Sequence, residues 1–206
     1  MNGEQEKDLV ILVADADMES VVTGLVARPR ALGIRAGITF DVFRHPRRDP
    51  GVFHQAHEFL RNRQNQYRYA LVMFDRVGSG QESQPADWLE AEVRHRLDAA
   101  GWKGRCAVVV LDPELEVWAF ANSPHVVQVI ADGDEALYRQ ILRAQPVSAY
   151  GKPACPKEVM EDLLRKKGIP RSSALYKKLA EQVSLSACQD PTFQRFRRIF
   201  QGWFEA

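Results

Sequence analysis

The stretch Leu9-Val10-Ile11-Leu12-Val13-Ala14-Asp15-Ala16-Asp17-Met18-Glu19 decides the fold. Six apolar residues in a row are too few for a soluble helix and too apolar for a strand with one wet face. They read as a strand buried on both faces, as in a parallel sheet. The run then delivers three carboxylates, Asp15, Asp17 and Glu19, at its C-terminal end. In an open α/β sheet that edge is where ligands bind.

Two later runs repeat the pattern. Tyr69-Ala-Leu-Val-Met-Phe-Asp75 and Cys106-Ala-Val-Val-Val-Leu-Asp112 are again apolar and again end in an acid. Gly37-Ile-Thr-Phe-Asp-Val-Phe-Arg-His45 alternates and is rich in β-branched and aromatic residues, so it reads as a further strand. Helical spacing predicts helices over about 18–28 (closed by Pro29), from Val52 to Leu60, over 85–100, just after Pro113, and from Asp134 to Ala144. Three amphipathic helices are predicted at 156–167, 172–184 and 190–204, the last with Phe193, Phe196, Phe200 and Trp203 in one stripe. Pro46-Arg-Arg-Asp-Pro-Gly51 reads as a basic turn, Lys152-Pro153-Ala-Cys-Pro156 as a linker, and residues 1–7 as a frayed end. Val126–Ile130 fits a short fifth strand or a helix. The β-α alternation predicts an α/β fold with a mostly parallel four- or five-stranded sheet flanked by helices, joined by right-handed crossovers and followed by a helical C-terminal extension.

A length of 206 residues suits one α/β domain with an appendage. The expected division is an α/β domain at 1–150 and a basic helical extension at 151–206 packed on it, since some 55 residues alone would bury too little surface. The net charge of +1 hides an asymmetry. Residues 1–150 carry 17 Lys/Arg against 21 Asp/Glu, and residues 151–206 carry 11 against 6. A basic C-terminal part suits an anionic partner such as nucleic acid, or simply a solvated helix surface. The three cysteines, Cys106, Cys155 and Cys188, are far apart and form no C-x-x-C pair, so neither a zinc ribbon nor a disulfide framework is indicated. No signal peptide or long apolar span is visible, so the expectation is a cytoplasmic protein with no membrane partner.

If the three acid-terminated strands are parallel neighbours, Asp15, Asp75 and Asp112 converge on one edge, with Asp17, Glu19, Glu114 and Glu116 within a turn of it. Crowded carboxylates repel one another unless a cation or a buried proton relieves them. Oxygen-rich clusters suit Mg²⁺ or Mn²⁺, which polarise phosphates and activate water. Each acid taken singly is also explained as a helix cap or a partner of the helix dipole.

A strand followed by acid-x-x-x-acid, with a later strand ending in Asp, resembles the Toprim fold of topoisomerases, primases and the overcoming-lysogenization-defect nucleases. The resemblance places Asp15 where that family has the Glu of its Glu-Gly, and Asp75 at the head of its Asp-x-Asp. This chain reads Asp15-Ala16 and Asp75-Arg76-Val77 instead, so the second Asp is missing, leaving Asp112, Glu114 or Glu116 to supply a ligand. The implied metal set is Asp15, Glu19, Asp75, Asp112, Glu114 and Glu116, with Arg76 holding a phosphate. Across the whole chain, His45-Pro-Arg-Arg-Asp-Pro-Gly51, Phe74-Asp-Arg-Val-Gly-Ser-Gly80, Asp112-Pro-Glu-Leu-Glu-Val-Trp118, Arg171-Ser-Ser-Ala-Leu-Tyr176 and Gln201-Gly-Trp-Phe204 resemble a small component of the bacterial methylation-associated defence system. That resemblance implies antiviral defence beside other defence-system proteins, and by itself no reaction.

Gly78-Ser79-Gly80 follows a strand and precedes a helix, which suits a phosphate contact together with Arg76, although no P-loop or dinucleotide spacing is present. A plain flexible turn is the favoured reading, and the phosphate contact stays open because the loop adjoins Asp75. Arg47 and Arg48, beside His45 and Arg44, are candidate grips on a nucleic-acid backbone, or equally a surface turn with no partner. His54 and His57 are three apart on a predicted helix and lack a third ligand for zinc. Trp118 and Trp203 read as core rather than as base-stacking platforms. Ser79 lacks the nucleophile elbow, and Cys155 has no assignable histidine.

Three functions follow. The first is a Toprim-like, Mg²⁺-dependent phosphoesterase acting on nucleic acid through Asp15, Glu19, Asp75 and Arg76. The second is a non-catalytic defence subunit that binds nucleic acid or proteins through a decayed site. A phosphoacceptor receiver domain, mimicked by Asp15, Asp17, Asp75 and Lys152-Pro153, ranks last, because the spacings are too long and three helices follow.

Overall fold

The computed structural model describes residues 6–148, 150–185 and 188–206; most of the expected frayed end lies outside them. Four strands, β1 (Lys7–Val13), β2 (Phe40–Arg44), β3 (Tyr67–Asp75) and β4 (Cys106–Leu111), form one all-parallel sheet in the order β2-β1-β3-β4. The expected α/β class is what the chain adopts, with four strands rather than five. Val126–Ile130 belongs to a helix, not a strand. The central strands have no solvent-accessible face: Leu9–Val13 and Ala70–Phe74 are fully buried. This is why their sequences run apolar without alternation.

Between the strands, α1 (Ala16–Val26) follows β1, a single turn α2 (Pro29–Leu32) follows it, α3 (Arg48–Leu60) joins β2 to β3, and α4 (Ala86–Leu97) joins β3 to β4. Pro29 opens α2 instead of merely closing the preceding helix. The segment expected to be a basic turn is divided: Arg48, Asp49, Pro50 and Gly51 form the first turn of α3. Pro is tolerated in a first turn, where its missing N–H would have no helical partner. Gly51 is set by contact, since a Cβ there would stand 2.1 Å from the His45 Nδ1.

After β4 the chain forms a 3₁₀ turn at Leu115–Trp118 and then α5 (Pro124–Ile130), α6 (Glu135–Arg143), α7 (Pro156–Lys167), α8 (Ser173–Gln182) and α9 (Pro191–Trp203). Helix α3 packs on β1 and β3, and α4 on β4; α1 and α9 serve the other face, α1 against β2 and α9 against β4. The α9 stripe buries Phe193, Phe196 and Phe200, each worth about 2–3 kcal/mol of apolar burial. Trp203 stacks on Tyr69 of β3 at 4.7 Å. Helix α8 lies against α1, and Gly24 permits the approach: a Cβ there would meet the Ala180 Cβ at 2.9 Å.

The segment expected as a linker is part of the packed body. Lys152 is 6 % exposed, and its Nζ donates to the Val117 carbonyl at 2.7 Å and to the Asp190 carboxylate at 3.2 Å. Asp190 in turn caps α9 through the N–H groups of Thr192 and Phe193. A buried ion pair between positions 38 apart leaves no trace in local composition, which is why a Lys-Pro stretch reads as exposed.

Candidate functional site at the carboxyl edge of the sheet

The strand order fixes where a site belongs. From β1 the chain crosses to β2 on one side, while from β3 it crosses to β4 on the other. Helices leaving β1 and β3 therefore go to opposite faces and open a crevice between the C-terminal ends of these two strands. Asp15 follows β1 and Asp75 ends β3, so both flank this switch point.

Asp75 is the centre of the cluster. Its main-chain N–H donates to Asp49 Oδ1 at 2.8 Å, while its own Oδ1 is buried without a hydrogen-bond partner. Burial first, then the charges of Asp49, Glu116, Asp15 and Glu114, push its carboxyl well above the usual aspartate range. The Asp49 carboxyl is also raised, chiefly by burial and further by Asp15, against hydrogen bonds that favour its charge. Glu114 is raised by burial and by Glu116, with Lys157 opposing. Asp49 is the residue that sequence reasoning missed. Its signal was present, an acid five residues beyond the strand beside β1, but it was absorbed into a turn read as basic.

The other candidates divide. Asp15 caps α1, its Oδ1 accepting from the N–H groups of Asp17 and Met18 at 3.0 and 2.9 Å. The capping explanation thus holds for Asp15, and its second oxygen takes no part in those bonds. Glu19 turns to Arg44 at 3.1 Å, and Asp112 to Arg76 at 2.7 Å. Glu116, 2 % exposed, accepts from the Tyr176 hydroxyl at 2.5 Å and from Arg171 at 3.0 Å. Arg171 also pairs with Asp17 at 3.2 Å, which accepts from Ser173 Oγ at 2.6 Å. Burial pulls the Arg171 guanidinium down, but Tyr176, Glu116 and Asp17 together hold it above its ordinary value. Glu114 accepts from the Lys157 N–H at 3.2 Å and faces its Nζ at 3.8 Å.

Part of the basic charge of the C-terminal region meets acids of the preceding region. Arg171 and Lys157 meet acids of the edge, Arg195 meets Asp87 and Glu90, and Lys167 meets Asp134. Among the described acids of this edge, Asp15, Asp49 and Asp75 form no ion pair, although the charge of Lys157 acts on Asp49. Among the described residues, no three His, Cys, Asp or Glu side chains stand close enough to hold a metal ion in their present arrangement. Within that group the buried, unpartnered Oδ1 of Asp75 is the atom that suits a cation.

In the loop after β3, Ser79 is fully buried; its Oγ donates to the Arg76 carbonyl at 2.7 Å and accepts from the Gln81 N–H. Ser79 thus holds the turn together rather than presenting a hydroxyl to a ligand. Arg76 is held by Asp112 and by the Glu82 carbonyl. Arg47 and Arg48 are exposed at the start of α3. His57 faces Glu58 at 3.9 Å, and among the described residues His54 and His57 belong to no metal-holding group. Trp118 is core, donating to Thr192 Oγ1 at 2.7 Å. Cys106, half-buried beside Asp98, has its thiol pushed up to about 12, mainly by burial, which disfavours the thiolate.

Comparison with family models finds no match, and comparison with curated proteins and with solved structures finds none either. Among the described residues no helix is long and apolar enough to cross a membrane.

Proposed function

We propose that this chain is a Toprim-like component of a bacterial anti-phage defence system, cytoplasmic and working beside other defence proteins. Its acidic edge takes Mg²⁺ or Mn²⁺ and acts on a phosphoester of nucleic acid. The observation that carries this reading is the buried, unpartnered carboxylate oxygen of Asp75 among Asp49, Asp15 and Glu114 at the switch point of a parallel sheet. Such a group is unfavourable to folding unless a proton or a cation sits on it, and sites of this kind are where function is expected.

Asp75 and Asp49 would hold the ion, with the second oxygen of Asp15 and with Glu114 as further donors. When bound, a divalent ion polarises a phosphate oxygen and lowers the pKa of an attached water. The residues of the chain bind and orient. Asp49 fixes the Asp75 backbone, Arg76 stands on the adjoining turn, and the raised carboxyl of Asp75 is able to keep a proton when no cation is present. Glu19 and Asp112, tied to Arg44 and Arg76, are less suited to the first ring of ligands than Asp49.

A second reading, a non-catalytic subunit with a decayed site, is favoured by one observation. Arg171 and Lys157 already neutralise Glu116 and Glu114, doing locally what a metal would do. The two readings separate in a cleavage assay on single- and double-stranded DNA and RNA oligonucleotides with Mg²⁺ or Mn²⁺. The first predicts metal-dependent cleavage by the wild type that Asp75→Asn abolishes. Cleavage equal in wild type and Asp75→Asn, or absent from both, removes the enzyme reading.

A further inference from the structure

We propose that the turn from Arg76 to Glu82 is a phosphate-binding nest which the chain's own Glu82 carboxylate occupies at rest. Gly78 and Gly80 have φ of +90° and +78°, left-handed values that favour glycine. Their N–H groups converge on one atom, Glu82 Oε1, at 2.9 and 3.1 Å. The Ser79 N–H between them goes to the Arg76 carbonyl, so two alternate N–H groups, converging on one point, form the anion-binding concavity. Gly78, Gly80 and Glu82 are all exposed, so water would satisfy these donors and burial does not force a carboxylate onto them. Arg76 closes the same turn, donating to the Glu82 carbonyl at 2.6 Å. Glu82's bonds from its own N–H and those of Gly80 and Gly78, with the charge of Arg76, hold its carboxyl below the usual range. The position favours a full negative charge.

The nest borders the acidic edge, since a Cβ on Gly78 would lie 3.8 Å from Asp49 Oδ2. A phosphate seated on the two glycine amides would reach toward the carboxylates that hold the cation in the reading above. The nest nevertheless stands on its own geometry and does not require that cation. Glu82 acts as an internal competitor, so a phosphate must displace it and the resting chain binds phosphate weakly.

The test is a titration with inorganic phosphate in the presence of a chelator, which keeps it independent of any metal site. The Gly78 and Gly80 amide resonances are followed in wild type, Glu82→Ala and Glu82→Gln. Glu82→Ala should bind phosphate about tenfold more tightly than wild type, the two amides shifting together. Glu82→Gln keeps an acceptor for the turn but loses the charge, so it should also bind more tightly, by less. A parallel titration with one oligonucleotide, 5′-phosphorylated or 5′-hydroxyl, identifies the source. A nucleic-acid end is indicated if the phosphorylated form outcompetes inorganic phosphate, and a free phosphate if it does not. Equal phosphate affinity in wild type and both variants, or unmoved glycine amides, overturns the proposal. If Glu82→Ala does not fold, Glu82→Gln decides alone.

Discussion

The Asp75 N–H donates to the Asp49 carboxylate at 2.8 Å, while the Asp75 carboxylate lies beside it with Oδ1 buried and unpartnered. One acid is thus anchored and the other left exposed to repulsion, with one oxygen buried although the side chain as a whole is only half-buried. A sheet edge built for stability alone would place an uncharged side chain there, because a buried unpaired charge costs more than a buried neutral group.

Replacing Asp75 by Asn keeps the shape and the main-chain bond to Asp49 but removes the charge. It is expected to stabilise the metal-free protein by on the order of 1 kcal/mol, as replacements at strained functional positions do. Urea denaturation in chelator measures this. A loss of stability would mean that the Asp75 carboxylate is satisfied in solution.

The stability of wild type relative to Asp75→Asn should also depend on pH. The Asp75 carboxyl is raised above its ordinary 3.8, so the folded chain holds a proton that the unfolded chain has lost. Its contribution is most favourable below about pH 4 and declines as pH rises toward the folded value. Other groups carry the opposite sign: His45 and His57 are lowered from 6.5, chiefly by burial, and weaken the fold as pH falls. Subtracting the two curves removes those contributions. The advantage of Asp75→Asn should therefore widen from pH 4 upward and level off once wild-type Asp75 is ionised. A pH-independent difference would contradict the repulsion.

Lys152→Met tests the packing of the C-terminal helices. It removes one member of a pair whose side chains are 7 % and 4 % exposed, leaving Asp190 charged and buried at the cap of α9. A loss of about 3–5 kcal/mol is expected, far beyond what a surface pair gives. A thermal or urea melt reads it directly, and a loss below about 1 kcal/mol would show that this segment is solvated.

The sheet was legible because double burial writes itself into sequence: three apolar runs ending in acids gave β1, β3, β4 and the edge on which they meet. The site was legible at Asp15, Asp75 and Glu114. Asp49 was hidden by Pro50 and Gly51, which mark a turn in sequence but open a helix here, the glycine being required by the His45 ring. Lys152 and Arg171 were hidden because their partners lie 38 and 55 positions away. Glu82 gave no signal, since a carboxylate folding back on two glycine amides has no sequence period. The net charge of the C-terminal part was legible, but which of its cations meet acids of the preceding region is a property of the fold.

The most direct test of the acidic edge is calorimetric titration of Mg²⁺ and Mn²⁺ into wild type, Asp75→Asn and Asp15→Asn. Asn at position 15 keeps the cap of α1, whereas Ala would cost about 1 kcal/mol there and confuse binding with stability. Wild type is expected to bind, Asp75→Asn to lose binding and Asp15→Asn to bind more weakly, if the acidic edge is a cation site. No binding to wild type, or binding indifferent to both substitutions, would contradict it.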